Sequence, residues 1–208
     1  MRYAILWPSL VTLLLVSGCA SLSESQCIAS DWETIGYTDG SQGRSNSYLL
    51  KHQNACVKHG VVPDRTAYHD GWNQGIRQYC RPQNGFVQGE RGAAYSNICP
   101  STLEVGFHAA YTEGRTLYLA QAEINDMERQ VGYRQQRLKE VKAGIVETEA
   151  AIIGGGTTAV ERLRLLDETK NLAKEQGELE TQITEITVDI AVYRERLEGL
   201  RQTVAYSY

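Results

Sequence analysis

The chain has 208 residues, 42% hydrophobic and 22% charged, and its 21 basic against 25 acidic side chains leave a net charge of −4. That balance offers no basic stripe on which nucleic acid could bind. Its one strongly apolar run, at the N-terminus, is shorter than the ~20 residues needed to span a bilayer.

Residues 1–18 have the layout of a secretory signal: Arg2, a largely apolar run from Tyr3 to Val16, and the small pair Ser17-Gly18. Val16-Ser17-Gly18-Cys19 resembles the bacterial lipobox. The resemblance implies that Cys19 becomes the lipidated first residue of the mature chain, with residues 19–26 as its tether. Ala20 in second place is similar to Gram-negative lipoproteins sent to the outer membrane, and implies an anchor there facing the periplasm. Three acyl chains exceed what stable anchoring requires.

Four cysteines remain, Cys27, Cys56, Cys80 and Cys99, all before Pro100. In an oxidising compartment an even number of this kind predicts two disulfides. Neither the cysteines nor His52, His59, His69 and His108, taken as surface residues, show zinc-ligand spacing, so no metal and no cofactor is expected. Residues 27–100 then form a Cys/Gly-rich helical module, in which a first element runs from Ser30, in a Ser30-x-x-Glu33 capping box, to Lys58. A second runs from Asp64 to Tyr79 and a third from about Gly85 to Ile98. Packed antiparallel, these predict the pairs Cys27 with Cys80 and Cys56 with Cys99. A break of the first element near Gly43 to Ser47 would instead bring Cys56 back beside Cys27.

Tyr-x-acid-Gly occurs three times, at Tyr37-Thr38-Asp39-Gly40, Tyr68-His69-Asp70-Gly71 and Tyr111-Thr112-Glu113-Gly114, where composition alone predicts about 0.13 copies. Glycine pairs four apart, Gly36/Gly40, Gly71/Gly75 and Gly85/Gly89, are a weaker pattern, since about 1.7 arise by chance. On a helix such a glycine opens a notch for a second helix, and its cost of about 1 kcal/mol in a helix interior implies packing or binding. Packing is the favoured expectation. The rival is a ligand face, for sugars or peptidoglycan stems, built from Trp32, Asp39, Asp70, Trp72, Tyr79 and Glu113. A hydrolase would have to draw a carboxylate pair from these acids, as there is no nucleophile with a base, no phosphate loop and no metal run.

Cys27, Asp31-Trp32, Gly36-Tyr37, Asp39-Gly40, Gly43, Cys56, Gly60, Pro63-Asp64, Tyr68, Gly71, Gly75, Tyr79-Cys80, Gly85, Gly89, Gly92, Tyr95 and Cys99 together resemble the family catalogued as domain of unknown function 2799. The resemblance covers about residues 27–115 and implies an envelope lipoprotein with a small Cys/Gly module, and no mechanism.

Residues 101–208 hold no cysteine and carry the whole negative balance, 13 basic against 18 acidic side chains. From Leu117 through Ala120, Ile124, Met127, Val131, Arg134, Leu138, Val141, Ile145 and Thr148 to Ile152, steps of three and four alternate as in a coiled coil. After Gly154-Gly155-Gly156 the spacing resumes at Leu165 and Leu172 and continues through Leu179, Ile183, Ile186, Ile190, Tyr193, Leu197, Leu200 and Val204. Capping boxes are expected at Ser101-x-x-Glu104 and Thr158-x-x-Glu161, and the turn at 153–158 folds two long helices into an antiparallel hairpin. The fold class expected is all-α: a small disulfide-stapled module of short Gly/Tyr-rich helices, then the hairpin. The function expected is that of a non-enzymatic envelope lipoprotein, anchored in the membrane by lipid, whose coil meets a protein or cell-wall partner or another copy of itself. The alternative is a glycan-binding or small-ligand module on Trp32 and Trp72.

Overall fold

A computed structural model describes residues 21–205. The signal sequence and the lipidation site at Cys19 lie outside the described residues. Within them the fold is all-helical, with no strand. The helices are α1 (Glu24–Ile28), α2 (Trp32–Ser41), α3 (Leu49–Cys56), α4 (Arg65–Tyr79), α5 (Pro82–Glu90), α6 (Ser101–Ile153) and α7 (Ala159–Ala205). The chain divides into two compact units between Tyr79 and Cys80. The compositional border at Pro100 is therefore not the structural one: Phe86 of α5 packs against the apolar core of the long helices, so α5 joins the hairpin unit.

In the first unit α2 and α4 cross at van der Waals distance. A methyl group added to Gly36 or Gly40 of α2 would strike the backbone of α4 at Tyr68 or Trp72. One added to Gly71 or Gly75 of α4 would strike the backbone of α2 at Glu33 or Tyr37. Four notches face each other, and backbone meets backbone. Asp31 starts α2, its Oδ1 accepting from the amides of Glu33 and Thr34 at 3.1 and 3.2 Å. Ser30 is not the cap: its hydroxyl donates back to the Gln26 and Cys27 carbonyls and closes α1.

The second unit repeats this construction. Gly85 and Gly89 of α5 abut the backbone of α6 at Phe107 and Tyr111, and Gly114 of α6 abuts α5 at Phe86 and Glu90. The correspondence extends residue by residue, Gly36-Tyr37-x-x-Gly40-x-x-Gly43 with Gly85-Phe86-x-x-Gly89-x-x-Gly92, and Tyr68-His69-x-Gly71-Trp72-x-x-Gly75 with Phe107-His108-x-Ala110-Tyr111-x-x-Gly114. Gly43 and Gly92 both have positive φ, 74° and 72°, a conformation that side chains disfavour. Each lies under a tyrosine ring, Tyr79 or Tyr118, that leaves no room for a Cβ. Trp72 Nε1 donates to the Arg44 carbonyl and Tyr111 O–H to the Ala93 carbonyl, both at 2.7 Å, closing equivalent turns. The duplicated unit is thus a glycine-locked helix pair. The three Tyr-x-acid-Gly copies fall at non-equivalent places in it: Gly40 corresponds to Gly89, Gly71 to Ala110, and Gly114 to Gly75.

The disulfides are Cys27–Cys56 and Cys80–Cys99, one in each unit, and correct the expected pairs Cys27 with Cys80 and Cys56 with Cys99. The reason is the break near Gly43. Because α2 ends at Ser41 and the chain reverses at Gly43, α3 runs back and delivers Cys56 to Cys27. Loops of this size predict about 3–4 kcal/mol of stabilisation per bond. Residues 19–26 are correspondingly not all tether, for Ser23 caps α1 in a complete capping box.

The hairpin follows the heptads. Every α6 seam position from Leu117 to Ile152 is buried or half-buried, and so is every α7 position except Tyr193, which is exposed. The turn spans residues 154–158, with Thr158 Oγ1 accepting from the Glu161 amide at 3.2 Å. Ser101 is not a cap, because α6 already begins there and Pro100 precedes it as N-cap. Crosswise bonds hold the register. Thr148 and Thr169 hydroxyls meet at 3.0 Å in the seam, Arg137 grips the Glu175 carboxylate through two nitrogens, and Arg194 pairs with Glu128. At the seam position Arg134, Nε donates to Gln182 Oε1 at 2.9 Å. Both groups reach solvent, so an apolar side chain here loses little and extends the seam between Val131 and Leu138. Arg134→Leu is expected to stabilise the hairpin unit by about 1 kcal/mol, read as a raised midpoint in thermal unfolding followed by circular dichroism. A lowered midpoint would mean the Arg134–Gln182 bond is needed for register.

Candidate functional site: a buried carboxylate network in the first unit

Asp39 sits on α2 three residues beyond the Gly36 notch, facing inward, and is only 2% exposed. Its carboxylate is fully engaged. Oδ2 accepts from the Tyr68 hydroxyl of α4 at 2.7 Å and lies 2.8 Å from His52 Nε2 of α3, while Oδ1 accepts from Arg44 Nη1 at 2.9 Å. His52, also 2% exposed, extends the chain through Nδ1 to Ser21 Oγ at 3.0 Å. Burial by itself would push the Asp39 carboxyl up. The hydrogen bonds from His52 and Tyr68 and the charges of His52 and Arg44 outweigh it and hold Asp39 below the usual carboxylate range. Burial pushes the Tyr68 hydroxyl far up, and its bond to the Asp39 anion adds to the shift, so it remains a donor.

Ser21, His52 and Asp39 thus form a hydroxyl–imidazole–carboxylate row. The imidazole has both nitrogens occupied, is closed off from solvent, and shares its carboxylate oxygen with Tyr68. The bonds join the N-terminal segment, α2, the turn after it, α3 and α4. As chemistry the row is a staple of polar side chains whose partners are all supplied from within the unit.

The second unit serves as an internal control. There the position of Tyr68 is taken by Phe107 and that of Asp39 by Gln88, yet the same glycine-locked crossing forms. The helix pair therefore does not need the carboxylate network. What differs in the first unit is ten additional residues between the positive-φ glycine and the aligned ring position, Tyr68 or Phe107, among them α3 with His52. The network holds that insertion and the N-terminal segment against the pair.

Within the first unit the residues expected to form a ligand face do not lie together as one. Trp32 and Trp72 are core residues, each 9% exposed. Tyr79 covers Gly43, Asp39 is spent inside the network, Asp70 is exposed, and Glu113 belongs to the other unit. Among the described residues no group of three His, Cys, Asp or Glu is placed to hold a metal ion. His52, expected at the surface, is buried. Its signal was the apolar spacing of Leu49, Ala55 and Cys56, which puts position 52 on the inward side of α3. Arg44 and Ser21 had no such signal.

No curated protein and no solved structure matches the chain. The stretch that does match a family model begins at the α2 cap Asp31 and ends two residues past Gly114, so it spans both glycine-locked pairs and leaves out the coil from Leu117 onward. Residues 31–116 match the model of the family described as "Protein of unknown function (DUF2799)", in agreement with the resemblance seen in the sequence.

Proposed function

We propose that this chain is a non-enzymatic, lipid-anchored envelope protein whose coiled-coil hairpin binds a protein partner through its tip. The observation that supports this reading most is the apolar surface around the turn. Ile153 is 84% and Val160 79% exposed, and Leu163 and Val146 are exposed as well, although the seam beside them is already closed by Leu165, Thr148 and Thr169. Exposed apolar side chains gathered at the end of a rod mark an interaction site. The fully engaged carboxylate network supports a structural role for the only buried acid–imidazole pair among the described residues. No helix among them is long and apolar enough to cross a membrane; the lipobox-like Val16-Ser17-Gly18-Cys19 supports attachment through lipid on Cys19.

A photo-crosslinking residue at Leu163, in cells making the otherwise native protein, is expected to yield a discrete adduct with one envelope protein. Replacing Ile153 and Val160 together by Glu should abolish the adduct while leaving the unfolding midpoint unchanged. Adducts formed solely with a second copy of the chain, or with nothing, would sink the reading in favour of self-association or of a plain stalk.

A further inference from the structure

The first unit is bound to its N-terminal segment so closely that almost no slack remains before the anchor. Ser21 is held by His52, Cys27 is bonded to Cys56, and Glu24 lies 3.8 Å from His59. All three attachments fall on α3 or on the turn that follows it. Between Ser21 and the lipid-bearing position 19 there are two residue steps, at most about 7 Å of chain.

The surface beside this attachment is basic and apolar. The Tyr48 ring lies 5.2 Å from the His52 ring that holds Ser21, and Tyr48 in turn carries the Arg44 guanidinium at 4.6 Å and the Lys51 ammonium at 4.7 Å. The outward side of α3 and its continuation shows Leu50, 57% exposed, Lys51, Val57, 58% exposed, and Lys58. From Arg44 to Ala67 there are four Lys or Arg and one acid, whereas the corresponding stretch of the second unit, residues 93–106, has no Lys or Arg and one acid. The insertion that distinguishes the first unit is thus where cations and exposed aliphatic side chains are concentrated, next to the point at which the chain leaves for its anchor.

We infer that the α3 face, with Tyr48, Lys51, Leu50 and Lys58, rests on the headgroups of an anionic lipid bilayer, so that the first unit lies on the membrane surface. The inference rests on lipidation at Cys19, which brings this face within about two residues of the bilayer. Lys51 and Lys58 supply attraction to the anionic surface, and Leu50 and Val57 supply apolar contact at the headgroup level.

The test uses the mature chain with Cys19→Ser, which carries no lipid, mixed with vesicles of phosphatidylethanolamine and phosphatidylglycerol or of phosphatidylcholine alone. Co-sedimentation with the anionic vesicles is expected, weakening with salt, and none with the neutral ones. Lys51→Gln with Lys58→Gln should reduce partitioning about fivefold per cation. Leu50→Ser should reduce it further. These side chains are exposed, and an unchanged unfolding midpoint would show that the fold is kept. Equal binding to both vesicle types, no binding to either, or a double variant that binds like its parent would overturn the contact. The intact mass of the native protein reads the anchor separately. With acyl chains present, failure on vesicles overturns this contact alone, while an unmodified Cys19 overturns the anchor and this inference together.

Discussion

Gly71→Ala is expected to abolish folding of the first unit. The new methyl would fall on the Glu33 carbonyl oxygen, and it would also lie 2.9 Å from the Tyr37 amide nitrogen. Neither group can swing aside, since both are helix backbone, so α2 and α4 must separate. Separation breaks the bonds from Tyr68 to Asp39, from Trp72 to the Arg44 carbonyl and from Gln74 to Glu33. A cost above about 4 kcal/mol is expected, at the extreme of single substitutions and more than a unit this small can spare. Hydrogen exchange should show amide protection lost across α2 and α4. Gly132→Ala is the matched control: a Cβ there meets nothing within 4 Å, and the same change in an open helix interior should stabilise α6 by about 1 kcal/mol. If Gly71→Ala left the first unit as stable as its parent, the close crossing itself would be wrong.

Asp39→Asn is expected to cost about 2–4 kcal/mol at neutral pH, because Arg44 loses its counter-charge and His52 and Tyr68 lose a carboxylate oxygen between them. The pH dependence has a definite sign. Asp39 titrates lower in the folded unit than in the unfolded chain. Its contribution is therefore complete above the unfolded carboxylate pKa, near 4, and is lost as pH falls through the depressed folded value. Urea unfolding of parent and variant at neutral pH and at about pH 3 should show the gap between them narrowing in acid. A gap that stayed constant would mean that Asp39 is not held as an anion.

Much of the architecture was legible in the sequence because it follows from local rules. The heptad spacing from Leu117 to Ile152 and from Leu165 to Val204, interrupted by three glycines, is enough to specify two long helices and a turn, since an apolar stripe on a helix must be covered and the other arm is the nearest cover. The even count of cysteines outside position 19 likewise sufficed for two disulfides. The glycine pairs were harder to weigh. Gly36/Gly40 and Gly85/Gly89 are no rarer than chance in isolation, and their meaning lies in Gly71/Gly75 and Gly114 on the facing helices, a pairing that spacing along one chain cannot display.

Tertiary structure alone decided the rest. Which cysteines meet depended on a single reversal at Gly43, where a positive φ turns the chain and sends α3 back toward Cys27. The border between units depended on Phe86 entering the hairpin core, which composition placed on the other side of Pro100. The carboxylate network was the least visible, because Ser21, Asp39, Arg44, His52 and Tyr68 are spread over three helices and two connecting segments, and a hydrogen-bond network is defined by distances between side chains that have no fixed separation in sequence. Periodicity reports which side of a helix turns inward; what waits there is settled by packing.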